Sequence, residues 1–115
     1  MKTILFVNDN RTVINSYPEL LEKDFNCEVK AYESARDARN DIVNGLKFDL
    51  GIIDLSLSPE DIAGDNIIKF IHKRNQYIPL ISFSAYDYKL PEVEENIVSP
   101  IIWIEFSKKI RKYLI

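Results

Sequence analysis

Polar side chains that could do chemistry follow directly after three apolar segments of the sequence. Asn8, Asp9 and Asn10 follow the first segment, Asp54 follows the second, and Ser84 follows the third. A single Asp at the end of a strand usually serves a turn or caps a helix. Two carboxylates and a hydroxyl at three strand ends instead predict a shallow cleft lined by oxygen atoms. Carboxylate and carbonyl oxygens are the ligands that Mg²⁺ prefers, with several water molecules retained.

The composition is that of a small globular domain without a strong charge bias. The chain has 115 residues, of which 46% are hydrophobic and 29% charged, and its formal net charge is −3. This length predicts one domain over residues 1–115 with no output domain, and the charge argues against nucleic-acid binding. Short apolar runs without a signal-peptide pattern predict a cytoplasmic protein with no membrane span. A single cysteine, Cys27, and a single histidine, His72, argue against a disulfide, a cysteine or histidine metal site and a Ser-His-Asp triad.

Short apolar segments alternate with amphipathic ones, and this alternation predicts the elements that position the cleft. Strands are predicted at residues 3–7, 28–32, 48–54 and 79–84. Helices are predicted after the capping residues Asn10 and Ser34 and after the loop at 58–59, ending near residues 23, 45 and 74. Such strand–helix alternation implies an α/β fold, a doubly wound parallel sheet with helices on both faces. Ligands of these folds lie beyond the carboxyl ends of the strands, which is where the polar residues fall.

The chain after Ser84 allows two interpretations. In the first, residues 91–98 form a short helix, 101–106 form the fifth strand and 107–115 form the last helix. In the second, residues 96–98 form a clipped strand, and one long helix runs from 100 to 115 with an inner face of Phe106, Ile110 and Leu114. The Ile-Ile-Trp-Ile run favours a strand, so the first interpretation is preferred. Its short helix is predicted to be the least stable element of the domain.

Three segments resemble the signature segments of the response-regulator receiver domain, the CheY-like family. They are residues 4–10 (ILFVNDN), 48–57 (FDLGIIDLSL) and 78–85 (IPLISFSA). The resemblance covers about residues 1–85 and implies a five-stranded, doubly wound parallel sheet. It also implies that Asp54 accepts a phosphoryl group from a histidine kinase or a phosphotransfer protein in a two-component phosphorelay. Mg²⁺ would be held by Asp9, Asp54 and the carbonyl of Ser56, and the hydroxyl of Ser84 would bond to the phosphoryl group.

Departures from the family pattern alter the expected site. Asn8 stands at the first acidic position, where it is a poor Mg²⁺ ligand that acts weakly or through water. The glycine after the acceptor, Gly64, comes about two residues late, so the rim of the pocket is changed. The site of this chain is expected to contain two carboxylates and no ammonium, which gives a charge of about −2. The usual site of the family contains three carboxylates and one ammonium, so its charge is the same. Long-range attraction for Mg²⁺ is then similar, but the direct contacts are fewer and binding is weak.

The lysine that the family places after its fifth strand has no counterpart. Its position falls on Phe106 in the first interpretation of the C-terminal chain and on Ser99 in the second. The aromatic residue of the fifth strand likewise falls on Trp103 or on Asn96. Losing one charged hydrogen bond to a phosphoryl group costs about 1.5–3 kcal/mol. Phosphorylation is therefore expected to be slow or short-lived.

Two functional hypotheses follow from the sequence. The first is a signalling receiver, not an enzyme, that is phosphorylated on Asp54 and acts by contacting a downstream target protein. A homodimer is a further partner to be considered, whereas nucleic acid and membrane are not expected as partners. The second is a pseudo-receiver, a protein-interaction module that works without phosphorylation. Asp9, Asp54 and Ser84 favour the first, whereas Asn8 and the missing lysine favour the second.

Overall fold

Five parallel strands form the central sheet of the computed structural model, which describes all of residues 1–115. They are β1 (Lys2–Val7), β2 (Cys27–Tyr32), β3 (Leu50–Asp54), β4 (Leu80–Ser84) and β5 (Glu95–Val98). Their order across the sheet is β2-β1-β3-β4-β5, and every neighbouring pair is parallel. The central strands β1, β3 and β4 therefore end at the same edge of the sheet.

Helices connect the strands and cover both faces of the sheet. They are α1 (Arg11–Ile14), α2 (Tyr17–Asp24), α3 (Ala35–Val43), α4 (Gly64–Arg74) and α5 (Trp103–Leu114). The predicted cap at Asn10 is present, because its side chain accepts from the N–H groups of Thr12 and Val13. The first predicted helix is divided in two, with Pro18 in the first turn of α2. None of the helices has the length and apolarity of a membrane-spanning segment.

The core has two layers, one on each face of the sheet. Successive β1 residues alternate between them: Leu5 and Val7 pack with residues of α3 and α4, whereas Ile4 and Phe6 pack with residues of α2 and α5. Both β3 and β4 are buried along their whole length. The prediction of a doubly wound α/β fold with five parallel strands is confirmed.

The C-terminal chain follows the second interpretation, and the preferred first one is wrong. Residues 95–98 form β5, no helix lies between β4 and β5, and residues 101–106 belong partly to α5 and form no strand. The short helix predicted at residues 91–98 is therefore absent, so the prediction that it is the least stable element is wrong as well. The strand propensity of the Ile-Ile-Trp-Ile run is outweighed because helical spacing buries one continuous face of α5, formed by Phe106, Ile110 and Leu114.

Candidate functional site

A cleft of about 440 Å³ lies beyond the carboxyl ends of β1, β3 and β4. Its polar lining includes four of the five residues expected to bind Mg²⁺ or the phosphoryl group, Asn8, Asp9, Asp54 and Ser56. The other residues that line it are Asn10, Val13, Tyr17, Phe83, Ala85, Ser99, Pro100 and Ile101. Ser84 is buried at the end of β4, immediately before the lining residue Ala85. The parallel topology thus brings together the side chains that the sequence placed at separate strand ends.

Asp54 is the last residue of β3, and its side chain is fixed at the floor of the cleft. Only 8% of the residue is exposed, and its Oδ1 accepts a hydrogen bond from the Ser56 N–H at 2.8 Å. Burial raises the pKa of the Asp54 carboxyl, the Ser56 N–H lowers it, and the nearby Asp9 carboxylate raises it further. The net shift is upward, so the folded protein opposes the ionisation of Asp54.

Replacing Asp54 with asparagine should stabilise the fold near neutral pH. A carboxyl with a raised pKa in the folded state makes the protein less stable as the pH rises through that pKa, because the native state holds its proton longer. The neutral amide removes this cost and still accepts from Ser56, so we expect a gain of about 0.5–2 kcal/mol near pH 7. Below the unfolded pKa of about 3.9 the gain should disappear.

Urea unfolding of the wild type and the variant across this pH range measures the effect. Asp87→Asn is the matched control, because Asp87 is exposed and its carboxylate makes no hydrogen bond. A gain of equal size at low and neutral pH would contradict the assignment of the effect to ionised Asp54.

Asn8 is nearly buried beside Asp54, with 4% of the residue exposed. Its Oδ1 accepts from the Asn10 N–H at 2.9 Å, and its Nδ2 donates no hydrogen bond within the chain. As a neutral amide, Asn8 brings no charge to a metal ion, and its unused Nδ2 donor belongs to a residue that lines the cleft. Asn8 is therefore better suited to contact an anionic oxygen than to bind Mg²⁺ directly.

Two serine residues meet between β4 and β5, where Ser99 lines the cleft and Ser84 is buried next to the lining residue Ala85. The Ser84 Oγ accepts from the Tyr86 N–H at 3.0 Å, which leaves its own proton free to be donated. The Ser99 N–H donates to the Ser84 carbonyl oxygen at 2.9 Å, and Ser99 is the residue to which the second interpretation assigned the family's lysine position. Phe106, the other candidate for that position, is buried and stacks on Phe83. The only charged side chains that line the cleft are those of Asp9 and Asp54.

Asn96, to which the second interpretation assigned the family's aromatic position, lies on β5. Its Oδ1 accepts from the Ser82 hydroxyl at 2.8 Å, and its Nδ2 donates to the Tyr86 carbonyl at 3.0 Å. Trp103, the other candidate, lies on α5, where its indole N–H donates to Asp24 at 3.1 Å. An aromatic ring that changes rotamer with the state of the site is therefore absent from β5.

The loop of residues 55–63, which follows Asp54, contains a residue that sequence reasoning missed. The carboxylate of Asp61 accepts hydrogen bonds from backbone N–H groups at the start of α3. No local pattern could reveal this, because the partners are 25 and 26 residues apart in sequence. At the end of the loop, Gly64 packs against the backbone of Asp54 so closely that a Cβ would lie 2.7 Å from the Leu55 Cα.

The donor atoms of the cleft suit a hard divalent cation. Asp9 and Asp54 supply carboxylates, and Ser56 lines the same cleft. The chain contains no group of three or more His, Cys, Asp or Glu side chains arranged to hold a metal ion. This set resembles the usual way in which proteins bind Mg²⁺, with one or two carboxylates and several waters. Weak binding is therefore expected.

Comparison with solved structures gives many matches, although no protein-family profile and no curated protein matches the sequence. The response regulator TrrA of Thermotoga maritima, in complex with Mg²⁺ and BeF, is 25% identical with a TM-score of 0.83, and the match covers 99% of this chain and 100% of that chain. In complex with the histidine kinase ThkA, TrrA matches at 23% identity and a TM-score of 0.81, over 100% of both chains. The non-phosphorylated HemR receiver domain of Leptospira biflexa is 23% identical with a TM-score of 0.84, and the match covers 98% of this chain and 94% of that chain.

Proposed function

We propose that this chain, which has the fold of a response-regulator receiver domain, accepts a phosphoryl group on Asp54 from a histidine kinase or a phosphotransfer protein. The observation that carries this proposal is the placement of Asp54. Its carboxylate is buried at the end of β3, held by the Ser56 N–H and next to Asp9. A carboxylate that only capped a turn would not need a second carboxylate beside it in a cleft.

The reaction we propose is an in-line displacement at phosphorus. The Asp54 oxygen that does not accept from Ser56 attacks, the P–O bond forms, and the P–N bond of phosphohistidine breaks with its electron pair returning to the imidazole. Ser56 holds the other oxygen through its N–H. The Asn8 Nδ2 and the Ser84 hydroxyl supply donors to the phosphoryl oxygens.

Mg²⁺ is the cofactor that this reaction requires, held weakly by Asp9, Asp54 and the Ser56 carbonyl. When bound, it supplies positive charge next to the carboxylates and the phosphoryl oxygens. The raised pKa of Asp54 sets a further condition, because only the ionised carboxylate attacks. Phosphoryl uptake should therefore fall as the pH drops through that pKa.

Signalling would then proceed through protein contacts. The related TrrA is bound to a histidine kinase, which supports a kinase as the upstream partner. Five large apolar side chains of the 86–104 stretch are exposed: Tyr86, Tyr88, Val98, Ile102 and Ile104. Exposed apolar surface next to the site is typical of contact with another protein. It would suit a downstream target or a second copy of the chain.

A pseudo-receiver is the second candidate function, and three residues favour it. Asn8 replaces an acidic residue, Ser99 stands in place of the lysine, and Asn96 stands in place of the aromatic residue. The Asn96 side chain is held at both its oxygen and its nitrogen, so it offers no free rotamer that could report the state of Ser84. Such a module would present the same surfaces whether or not Asp54 carried a phosphoryl group.

Incubation with acetyl phosphate and Mg²⁺, followed by intact mass measurement, distinguishes the two candidates. We expect one phosphoryl group on the wild type and on the control Asp87→Asn, and none on Asp54→Asn. An adduct that persists in Asp54→Asn would place the acceptor elsewhere. A wild type that remains unmodified at high acetyl phosphate would support the pseudo-receiver.

A further inference from the structure

Asp61 caps a helix to which it does not belong. Its Oδ2 accepts from the Ala35 N–H at 2.6 Å, and its Oδ1 accepts from the Arg36 N–H at 3.0 Å and from the Ile62 N–H at 2.7 Å. The first N–H groups of a helix have no partner inside the helix, and the helix dipole favours a negative charge there. A single carboxylate on the 55–63 loop thus accepts hydrogen bonds from two of the free N–H groups at the start of α3.

Neighbouring contacts strengthen the same attachment. The Arg36 guanidinium donates to the Glu60 carbonyl at 3.0 Å, and the Asp61 N–H donates to the Ser58 carbonyl at 2.9 Å. The cap that α3 has within its own chain segment is separate, because the Ser34 hydroxyl accepts from the Asp37 N–H at 3.1 Å. The helix would therefore keep one cap if Asp61 were removed, whereas the loop would keep only the Arg36–Glu60 hydrogen bond to α3.

The opposite end of the 55–63 loop belongs to the cleft. There the Ser56 N–H holds Asp54, and the Ser56 backbone carbonyl is the proposed metal ligand. A longer loop has more conformations available to it, so an additional attachment is needed to keep one of them. This loop covers the whole connection between β3, which ends at Asp54, and α4, which begins at Gly64, and Asp61 lies near its far end.

We propose that Asp61 is a positioning residue, which fastens the 55–63 loop to α3 so that Ser56 keeps its place at Asp54. The effect on phosphoryl transfer rests on the proposed function, whereas the effect on the loop does not. A small displacement of groups that orient a reacting atom can lower a rate by about 10²-fold. We expect removal of Asp61 to lower the rate of phosphoryl uptake by about 10- to 10²-fold.

Asp61→Ala and Ser34→Ala form a matched pair that tests this proposal. Each variant removes one cap of α3, and only Asp61→Ala removes the carboxylate that joins the loop to α3. Both should lower the thermal midpoint. Only Asp61→Ala should speed hydrogen exchange at the Ser56 amide and slow phosphoryl uptake from acetyl phosphate. Asp61→Asn, which keeps one acceptor oxygen, should lie between Asp61→Ala and the wild type and serves as the test if Asp61→Ala does not fold.

Equal exchange at Ser56 and equal uptake in Asp61→Ala and Ser34→Ala would overturn the proposal, since Asp61 would then be a helix cap alone. If the wild type takes up no phosphoryl group, the proposed function fails and the exchange measurement decides about the loop by itself. Faster exchange at Ser56 in Asp61→Ala would then support the positioning role, and unchanged exchange would refute it.

Discussion

Replacing Ser99 with lysine should raise the rate of phosphoryl uptake on Asp54 by about ten- to a hundred-fold. The Ser99 backbone is bonded to the Ser84 carbonyl, and its side chain lies at an exposed position on the wall of the cleft. An ammonium there would face two carboxylates that have no cationic partner in the cleft. A charged hydrogen bond of this kind contributes about 1.5–3 kcal/mol, and each 1.4 kcal/mol changes a rate about tenfold.

The comparison that isolates the charge is Ser99→Lys against Ser99→Met, which has a side chain of similar length and no charge. Uptake from acetyl phosphate, followed by intact mass over time, gives the rates. The lysine should also lower the pKa of Asp54, which a pH titration of its carboxyl carbon by NMR would detect without any phosphorylation. If the lysine and methionine variants behave alike in both measurements, Ser99 does not occupy the position of the family's lysine.

Gly64→Ala should destabilise the domain by about 1–3 kcal/mol, the usual cost of inserting a methyl group into a packed site. Helix propensity alone predicts the opposite, because alanine is about 1 kcal/mol better than glycine inside a helix. The variant is expected to be less stable because α4 approaches β3 closely at this residue. The new Cβ would overlap the Asp54 carbonyl oxygen and lie 2.7 Å from the Leu55 Cα. Either α4 or the Asp54 backbone must then shift.

Urea unfolding measures this cost, and Gly45→Ala provides the control. Gly45 has a φ of +105°, and no atom lies within 4 Å of the place that a Cβ would take, so its substitution introduces backbone strain far from the cleft. Both variants should lose stability, but only Gly64→Ala should also slow phosphoryl uptake. A Gly64→Ala protein that is more stable than the wild type would show that helix and strand separate easily, and that the glycine is not needed beside the acceptor.

The proposed receiver offers a phosphoryl group fewer contacts than the resemblance to the family implies. The buried Asp54 carboxyl has Asp9 near it in the cleft, and Asn8 and Ser99 are neutral. Because no cationic side chain lines the cleft, a bound cation would supply the charge that balances the carboxylates. The proposed activity should therefore depend strongly on the Mg²⁺ concentration.

The sequence by itself determined the fold class and the positions of four strands. Local periodicity was enough there, because β1, β3 and β4 are apolar runs that the fold buries, and β2 alternates its two charged residues with apolar ones, as a partly exposed edge strand does. The grouping of Asp9, Asp54 and Ser84 could also be predicted, since parallel strands end at one edge of a sheet whatever the details of the loops. In both cases the information lies within a few consecutive residues or in the topology alone.

Only the tertiary structure decided which residues complete the cleft. The register of β5 on β4 pairs Val98 with Ser84, and the next residue, Ser99, then bonds to the Ser84 carbonyl. Local propensity favoured a strand that ended at Phe106, because the Ile-Ile-Trp-Ile run resembles a strand. The role of Asp61 depends on partners 25 and 26 residues away. Such contacts arise when separate elements pack against each other, so no pattern of neighbouring residues contains them.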